Sequence, residues 1–230
     1  MKNNLERIES VADKFEELNQ RIVYVGGAVV QCYSSDYAVG EIRATEDVDC
    51  IVKYDSHMDR IEFEKELRRH HFVEDLEDGV ICRWKFENDK VDIMPTNEKF
   101  LSFSNKWYEY GFEKRIPYLL PNGNVIFIMP VVVFVATKFE ALKARGGNDL
   151  RYSHDFEDII FILNSCNDFE LKLKEEDNAE LKLYIVTNVK WLLNRFNIHE
   201  EIECVLPYGE EERSDDIILL LNKIILIDGL

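Results

Sequence analysis

The sequence predicts an α+β protein, in which a small mixed β-sheet flanked by helices is followed by an all-α helical region. Short runs that alternate or are rich in β-branched residues, the pattern of strands, fall between Ile22 and Ile128. Apolar residues at helical spacing open the chain over residues 4–19 and return after Pro130, which suits a first helical turn. From about Asn178 onward the apolar spacing is helical throughout. We therefore expect the fold to change character near residue 130.

This change divides the chain into two predicted domains. Residues 1–129 form an α/β domain that carries the chemistry, and residues 130–230 form a helical domain that completes its ligand pocket. The 230 residues suffice to bury a real core, either as one large domain or as two small ones.

Composition limits the classes of function. The formal net charge of −17 disfavours a broad nucleic-acid-binding surface, which needs clustered Lys and Arg. No apolar run approaches the length of a membrane span, and the N-terminus lacks the apolar segment of a signal peptide. The five cysteines include no C-x-x-C pair. We expect a cytoplasmic protein without membrane partners.

The most informative stretch is the run from Asp47 to Val52, which alternates acid and apolar residues before turning apolar. It is predicted to be a strand that enters the core. Side chains two residues apart leave the same face of a strand, so Asp47 and Asp49 project together. Two neighbouring carboxylates repel each other unless a cation lies between them, and Mg²⁺ prefers such oxygen ligands. On its own, a D-x-D pair is also common on acidic surfaces.

A third acid comes from the next predicted hairpin. The runs Val80–Phe86 and Lys90–Met94 alternate and are joined by Glu87-Asn88-Asp89, a hairpin signal. Asp92 lies between two apolar residues, where a charge is costly unless it is paired or binds a metal. Beside Asp47 and Asp49 it is a candidate third metal ligand.

Gly26 and Gly27 follow the short apolar run Ile22–Val25 and precede a predicted helix. A strand, two glycines and a helix form an anion-binding arrangement, because glycine lets a phosphate approach the backbone and the helix start presents free N–H groups. A tight strand-to-helix turn without a ligand explains the same pattern equally well.

A basic segment follows in the helical region. Lys138 and Arg145 lie seven residues apart on one predicted helix and so are nearly aligned. The next helix begins near Ser153, a plausible N-cap, and carries Asp155 and Asp158 on one side. The alternative interpretation of the basic segment is a solvated helix face.

Taken together, these motifs resemble the nucleotidyltransferase superfamily typified by DNA polymerase β, and most closely its branch of AbiEii-like toxins. The resemblance covers roughly residues 20–165. Its motifs, in chain order, are Val25-Gly26-Gly27-Ala28, Arg43-x-Thr45-x-Asp47-x-Asp49, Val91-Asp92-Ile93, Lys138 with Ala141-Leu142 and Arg145, and Asp155-Phe156-Glu157-Asp158. Many members have Gly-Ser where this chain has Gly26-Gly27, and the AbiEii-like branch often has Gly-Gly.

The resemblance implies a role for each matched position. Asp47, Asp49 and Asp92 are the implied catalytic residues and would bind two Mg²⁺ ions, with Mn²⁺ as a substitute and Asp92 as the general base. The implied nucleotide-binding residues are Gly26, Gly27, Arg43, Thr45, Lys138, Arg145, Asp155 and Asp158. The interval from Gly27 to Asp47 is longer than in compact members and leaves a loop, residues 34–46, without a role.

The implied reaction transfers a nucleoside monophosphate from a nucleoside triphosphate (NTP) to an acceptor hydroxyl and releases pyrophosphate. The acceptor is a tRNA, another RNA or a protein if the chain is the toxin of a toxin–antitoxin or abortive-infection system, with an antitoxin protein as partner. A small molecule, as in antibiotic-modifying enzymes, is the alternative acceptor, and the acidic charge mildly favours it, or a protein acceptor, over RNA. A catalytically inactive binding protein with this fold is the alternative from another class.

Overall fold

The computed structural model describes residues 2–35, 42–75, 79–101, 104–145 and 149–227. It divides into two compact units. The first comprises Met1–Cys32 and Arg43–Pro130, and the second comprises Tyr33–Ile42 and Val131–Leu230. Each unit has its own buried apolar core.

The first unit contains a mixed sheet, which has seven strands within the described residues. The strands are β1 (Ile22–Val25), β2 (Asp47–Val52), β3 (Val73–Glu74), β4 (Arg83–Phe86), β5 (Asp89–Pro95), β6 (Ile116–Leu119) and β7 (Val125–Ile128). Their order across the sheet is β3-β4-β5-β2-β1-β7-β6. The β2–β5 and β1–β7 pairs are parallel, and the other neighbours are antiparallel. The mixed sheet with helices confirms the predicted α+β class.

The centre of this sheet is apolar, whereas one strand pair carries the acids. All of β1 is buried, as are Cys50, Ile51 and Val52 in the second half of β2. A two-residue turn at Glu87 and Asn88 joins β4 to β5, as the hairpin signal predicts. The acidic residues therefore project from strands that are anchored by the buried apolar centre of the sheet.

The helices of the first unit are α1 (Asn4–Phe15), α2 (His57–Arg69) and α3 (Tyr108–Glu113). Helix α1 begins at a capping box of Asn3 and Glu6 and packs its apolar face against β2 and β5. The predicted helix over residues 4–19 ends earlier, at Phe15, and continues as a 3-10 helix over Glu16–Arg21. The segment Gly27–Tyr33 is also 3-10, so its backbone is wound more tightly than an α-helix.

The second unit is helical. Its helices are α4 (Val131–Arg145), α5 (His154–Ser165), α6 (Phe169–Glu175), α7 (Ala179–Leu193), α8 (Ile198–Glu203) and α9 (Arg213–Ile224), with a 3-10 turn at Leu150–Tyr152. Helix α4 is buried on every side from Val131 to Phe139 and contacts α5, α6 and α7. Helix α9 in turn contacts α5, α6, α7 and α8.

Among the described residues, no helix combines the length and the apolar character needed to cross a bilayer.

Candidate functional site

The register of three neighbouring strands aligns two acids with an arginine. In the parallel pair β2–β5, Asp49 lies opposite Asp92, and in the antiparallel pair β4–β5, Asp92 lies opposite Arg83. Directly opposed residues project from the same face of a sheet, and Asp47 projects there too because it precedes Asp49 by two residues. The sheet therefore brings the predicted acids Asp47, Asp49 and Asp92 together on one face.

Arg83 binds two of these acids. Its Nε donates to Asp92 Oδ1 at 2.7 Å, and its Nη2 donates to Asp92 Oδ2 at 2.7 Å and to Asp47 Oδ2 at 2.8 Å. The planar guanidinium matches the two oxygens of a carboxylate, which makes such forked pairs strong and well oriented. The Arg83 and Asp92 side chains are only 12% and 11% exposed, so this ion pair is largely shielded from water.

Gly26 forms the backbone wall beside Asp49. Its φ is +72°, a left-handed conformation that glycine adopts readily and other residues adopt at a cost. A Cβ at this position would overlap the carboxylate of Asp49. Glycine is thus required at position 26 both by the turn and by the close approach of an acidic side chain.

Gly27 is covered by the segment that precedes β2. A Cβ at Gly27 would lie 2.7 Å from Arg43 Nη2 and 2.9 Å from Thr45 Cγ2. The guanidinium of Arg43 therefore lies directly over a backbone position without a side chain. The Thr45 hydroxyl bonds the carbonyl of Asp47 at 3.1 Å, which ties this segment to the start of the acidic strand.

Helix α1 holds the same segment from the other side. The Asn4 amide donates to the carbonyl of Arg43 at 2.9 Å, and its oxygen accepts from the backbone N–H of Thr45 at 2.9 Å. Arg7 Nη1 donates to the carbonyl of Glu46 at 3.1 Å. Both side chains are buried, so residues 43–46 are fixed although they belong to no helix or strand. Residues 36–41 of the predicted loop 34–46 lie outside the described part of the chain.

Two thiols next to the carboxylates remain protonated. Burial, and then the charges of Asp92 and Asp49, raise the pKa of Cys82 to about 11. The same causes, burial first, raise the pKa of the fully buried Cys50. A protonated thiol carries no charge at neutral pH, so these cysteines add nothing to the negative charge of the cluster.

The donor chemistry of the cluster fits a hard divalent cation. Carboxylate oxygens are the ligands that Mg²⁺ prefers, and Asp47, Asp49 and Asp92 against Arg83 leave a formal excess of two negative charges. Among the described residues, no three His, Cys, Asp or Glu side chains are arranged as a metal-binding group. The guanidinium of Arg83 is the cation that Asp47 and Asp92 share in this arrangement.

The other predicted binding residues form a second cluster, within the helical unit. Lys138 Nζ lies 2.6 Å from Asp158 Oδ2 and 3.5 Å from Asp155 Oδ1, and Arg145 Nη1 lies 2.6 Å from Asp155 Oδ2. Ser153 caps α5 as predicted and so fixes the helix that carries both acids. Lys138 is buried, whereas the Arg145 side chain is 72% exposed and is the member of the cluster that faces solvent.

Arg83, Asn4 and Arg7 were not predicted from the sequence. For Arg83 a signal existed, because a two-residue turn at Glu87-Asn88 pairs Phe86 with Asp89 and therefore Arg83 with Asp92. Asn4 and Arg7 contact residues about forty positions away, and no local pattern marks such a contact.

Comparisons with known proteins support the fold. No family model matches the sequence, and no curated protein matches it. Among solved structures, the chain is similar to an antigenic nucleotidyltransferase-like protein from Paracoccidioides brasiliensis, with a TM-score of 0.53 and 14% identity over 89% of this chain and 94% of that one. The chain therefore has a nucleotidyltransferase-like fold.

Proposed function

We propose that this protein is a metal-dependent nucleotidyltransferase that moves a nucleoside monophosphate from an NTP to an acceptor hydroxyl. The observation that carries the proposal is the convergence of Asp47, Asp49 and Asp92 on one sheet face, with the carboxylate of Asp49 against the backbone of Gly26. Carboxylates offer ligands for a metal, and glycines beside them present a backbone without side chains, which a phosphate can approach closely.

The residues around the glycines suit a phosphate group. Gly27 carries no side chain, and Arg43 Nη2 lies 2.7 Å from the position that a Cβ would take there. A guanidinium donates a fixed fork of N–H groups to phosphate oxygens and keeps its charge at every physiological pH. In this proposal Arg43 binds the triphosphate, and Thr45 orients the segment that carries it.

Asp47, Asp49 and Asp92 would hold the metal. Bound Mg²⁺ supplies positive charge to the phosphates and lowers the pKa of the attacking hydroxyl. The protein's own contribution is the strand register, which places the three acids on one face of the sheet before any ligand arrives and so limits the rearrangement that metal binding requires.

On the motif resemblance we also propose a nucleotide-binding role for the cluster within the helical unit, with Lys138 and Arg145 as the binding residues and Asp155 and Asp158 as their supports. Asp155 and Asp158 hold the ammonium group of Lys138 in place. Arg145 keeps one bond to Asp155 and exposes the rest of its side chain.

The acceptor and the biological setting are finer parts of the proposal. The motif set with Gly26-Gly27 favours an AbiEii-like toxin with an RNA or protein acceptor and an antitoxin partner. The formal charge of −17 favours a protein or a small molecule over RNA, because an acidic surface repels a phosphate backbone.

A transfer assay tests the proposal. The protein is incubated with Mg²⁺, each α-labelled NTP in turn, and total tRNA, cell lysate or candidate small molecules. We expect label transfer by the wild-type protein, loss of about a hundredfold or more in Asp47→Asn, and unchanged transfer in Asp55→Asn, an exposed aspartate of the same unit. Binding of an NTP without transfer to any acceptor would favour the inactive binding protein, and absence of both would refute the proposal.

A further inference from the structure

Arg83 is the one residue in the carboxylate cluster to which the proposed reaction assigns no role. Its position follows from the β4–β5 hairpin, whose register places it directly opposite Asp92. From there one nitrogen, Nη2, bonds both Asp92 and Asp47, so the guanidinium joins acids from two different strands. A cation that bridges these carboxylates is what a metal ion would also provide.

We propose that Arg83 is an internal counter-cation of the cluster, and that a divalent cation competes with its guanidinium for Asp47 and Asp92. This inference rests on the metal-dependent function proposed above. It assigns to Arg83 the regulation of metal binding: the guanidinium holds the acids together without metal and opposes the ion that binds them.

Burial gives the first argument. The Arg83 and Asp92 side chains are nearly 90% buried, and Asp47 is about two-thirds buried. Charged groups in such surroundings interact strongly, and a carboxylate left there without a partner is costly. Without Arg83, the neighbouring acids on β2 and β5 would repel each other, so the protein would depend more on an added cation.

Charge gives the second argument. The guanidinium and a divalent cation have the same sign and would lie within a few ångströms of each other on shared ligands, where like charges repel. Arg83 also engages both oxygens of Asp92, which limits the positions open to another cation. Both effects lower the affinity for metal. If Arg83 served instead only to orient Asp92 for metal binding, its removal would lower the affinity for metal.

The sign of the change in affinity therefore tests the inference. Mn²⁺ binding to the full chain without nucleotide is measured by the electron paramagnetic resonance signal of free Mn²⁺. The variants are Arg83→Gln, which removes the charge, and Arg83→Lys, which keeps a charge without the fork. The control is Arg21→Gln, which removes a partly exposed arginine bound to Asp59 elsewhere in the same unit.

We expect Arg83→Gln to bind Mn²⁺ about tenfold more tightly or more, because the variant removes the repulsion between two close cations. A tenfold gain in affinity corresponds to only part of that repulsion. Arg83→Lys should bind more tightly than wild type by a smaller factor, and Arg21→Gln should match wild type. Melting temperatures provide a second measurement: Arg83→Gln should melt lower than wild type without metal and gain more from saturating Mn²⁺. If Arg83→Gln does not fold, Arg83→Lys decides by the same criterion.

The contrary outcomes are distinct. Wild-type binding of Mn²⁺ with equal or weaker binding by the Arg83 variants would overturn the inference and leave the proposed function standing. Failure of all variants to bind Mn²⁺ would overturn both the inference and the metal dependence of the proposed reaction.

Discussion

At the scale of single residues, Gly26 has the most constrained identity in the site. It combines a left-handed backbone with direct contact to the Asp49 carboxylate. The two constraints can be separated experimentally because Gly79 has nearly the same φ, +70°, with no atom within 4 Å of its Cβ position.

We expect Gly26→Ala to destabilise the protein by about 3 kcal/mol, as the sum of the left-handed backbone cost and the overlap with Asp49. Gly79→Ala should cost about 1 kcal/mol, since only the backbone term applies. Urea unfolding measures both free energies. Equal losses in the two variants would mean that the Asp49 carboxylate moves away without cost, and that the close packing at Gly26 is not required.

The site was predictable from the sequence where local periodicity determines it. Alternation over Asp47–Val52 predicts the observed strand and the shared face of its two acids. Asp92 stood out as an acid within an apolar run, and the sheet places it opposite Asp49. Arg83 was missed because an arginine on an alternating strand is typical of a solvent-facing position, and only the register of the hairpin distinguishes the two cases.

At the scale of elements, helix α1 determines the shape of the segment before β2. Asn4 bonds the chain on both sides of residue 44, and Arg7 bonds the carbonyl of Glu46. Apolar spacing predicts that α1 exists and which face it buries, because these depend on residues close in sequence. Its polar contacts with the segment are tertiary and have no such signal.

We expect Asn4→Ala to destabilise the protein by about 2 kcal/mol, because it leaves the part-buried carbonyl of Arg43 and the buried N–H of Thr45 without the partner that Asn4 provides. The exchange of the Thr45 amide hydrogen should accelerate, measured by hydrogen–deuterium exchange. Asn3→Ala is the matched control, because it removes the cap of α1 at a cost of about 1 kcal/mol. It should accelerate the exchange of the Thr45 amide hydrogen by no more than this global loss of stability explains. Equal acceleration in both variants would assign no specific role to Asn4.

At the scale of the whole molecule, the formal charge of −17 affects every experiment with metal ions. Any salt screens the mutual repulsion of so many carboxylates, and a divalent ion does so at low concentration. Stabilisation by Mg²⁺ or Mn²⁺ therefore contains a general part, shared by the whole surface, and a specific part from ions bound to the Asp47–Asp49–Asp92 cluster. Only a comparison at equal net charge separates them.

We expect Mn²⁺ at about one hundred times its dissociation constant to stabilise the wild-type protein by about 2.7 kcal/mol beyond the general effect, since a ligand of the folded state stabilises it by mass action. For a chain of this size that corresponds to a rise in melting temperature of about 5–10 °C. The double variant Asp47→Asn, Asp49→Asn should lose this rise. The double variant Asp55→Asn, Glu98→Gln removes the same charge from exposed positions and should keep it. If both double variants respond to Mn²⁺ alike, the stabilising ions bind elsewhere, and Arg83 remains the cation that joins Asp47 to Asp92.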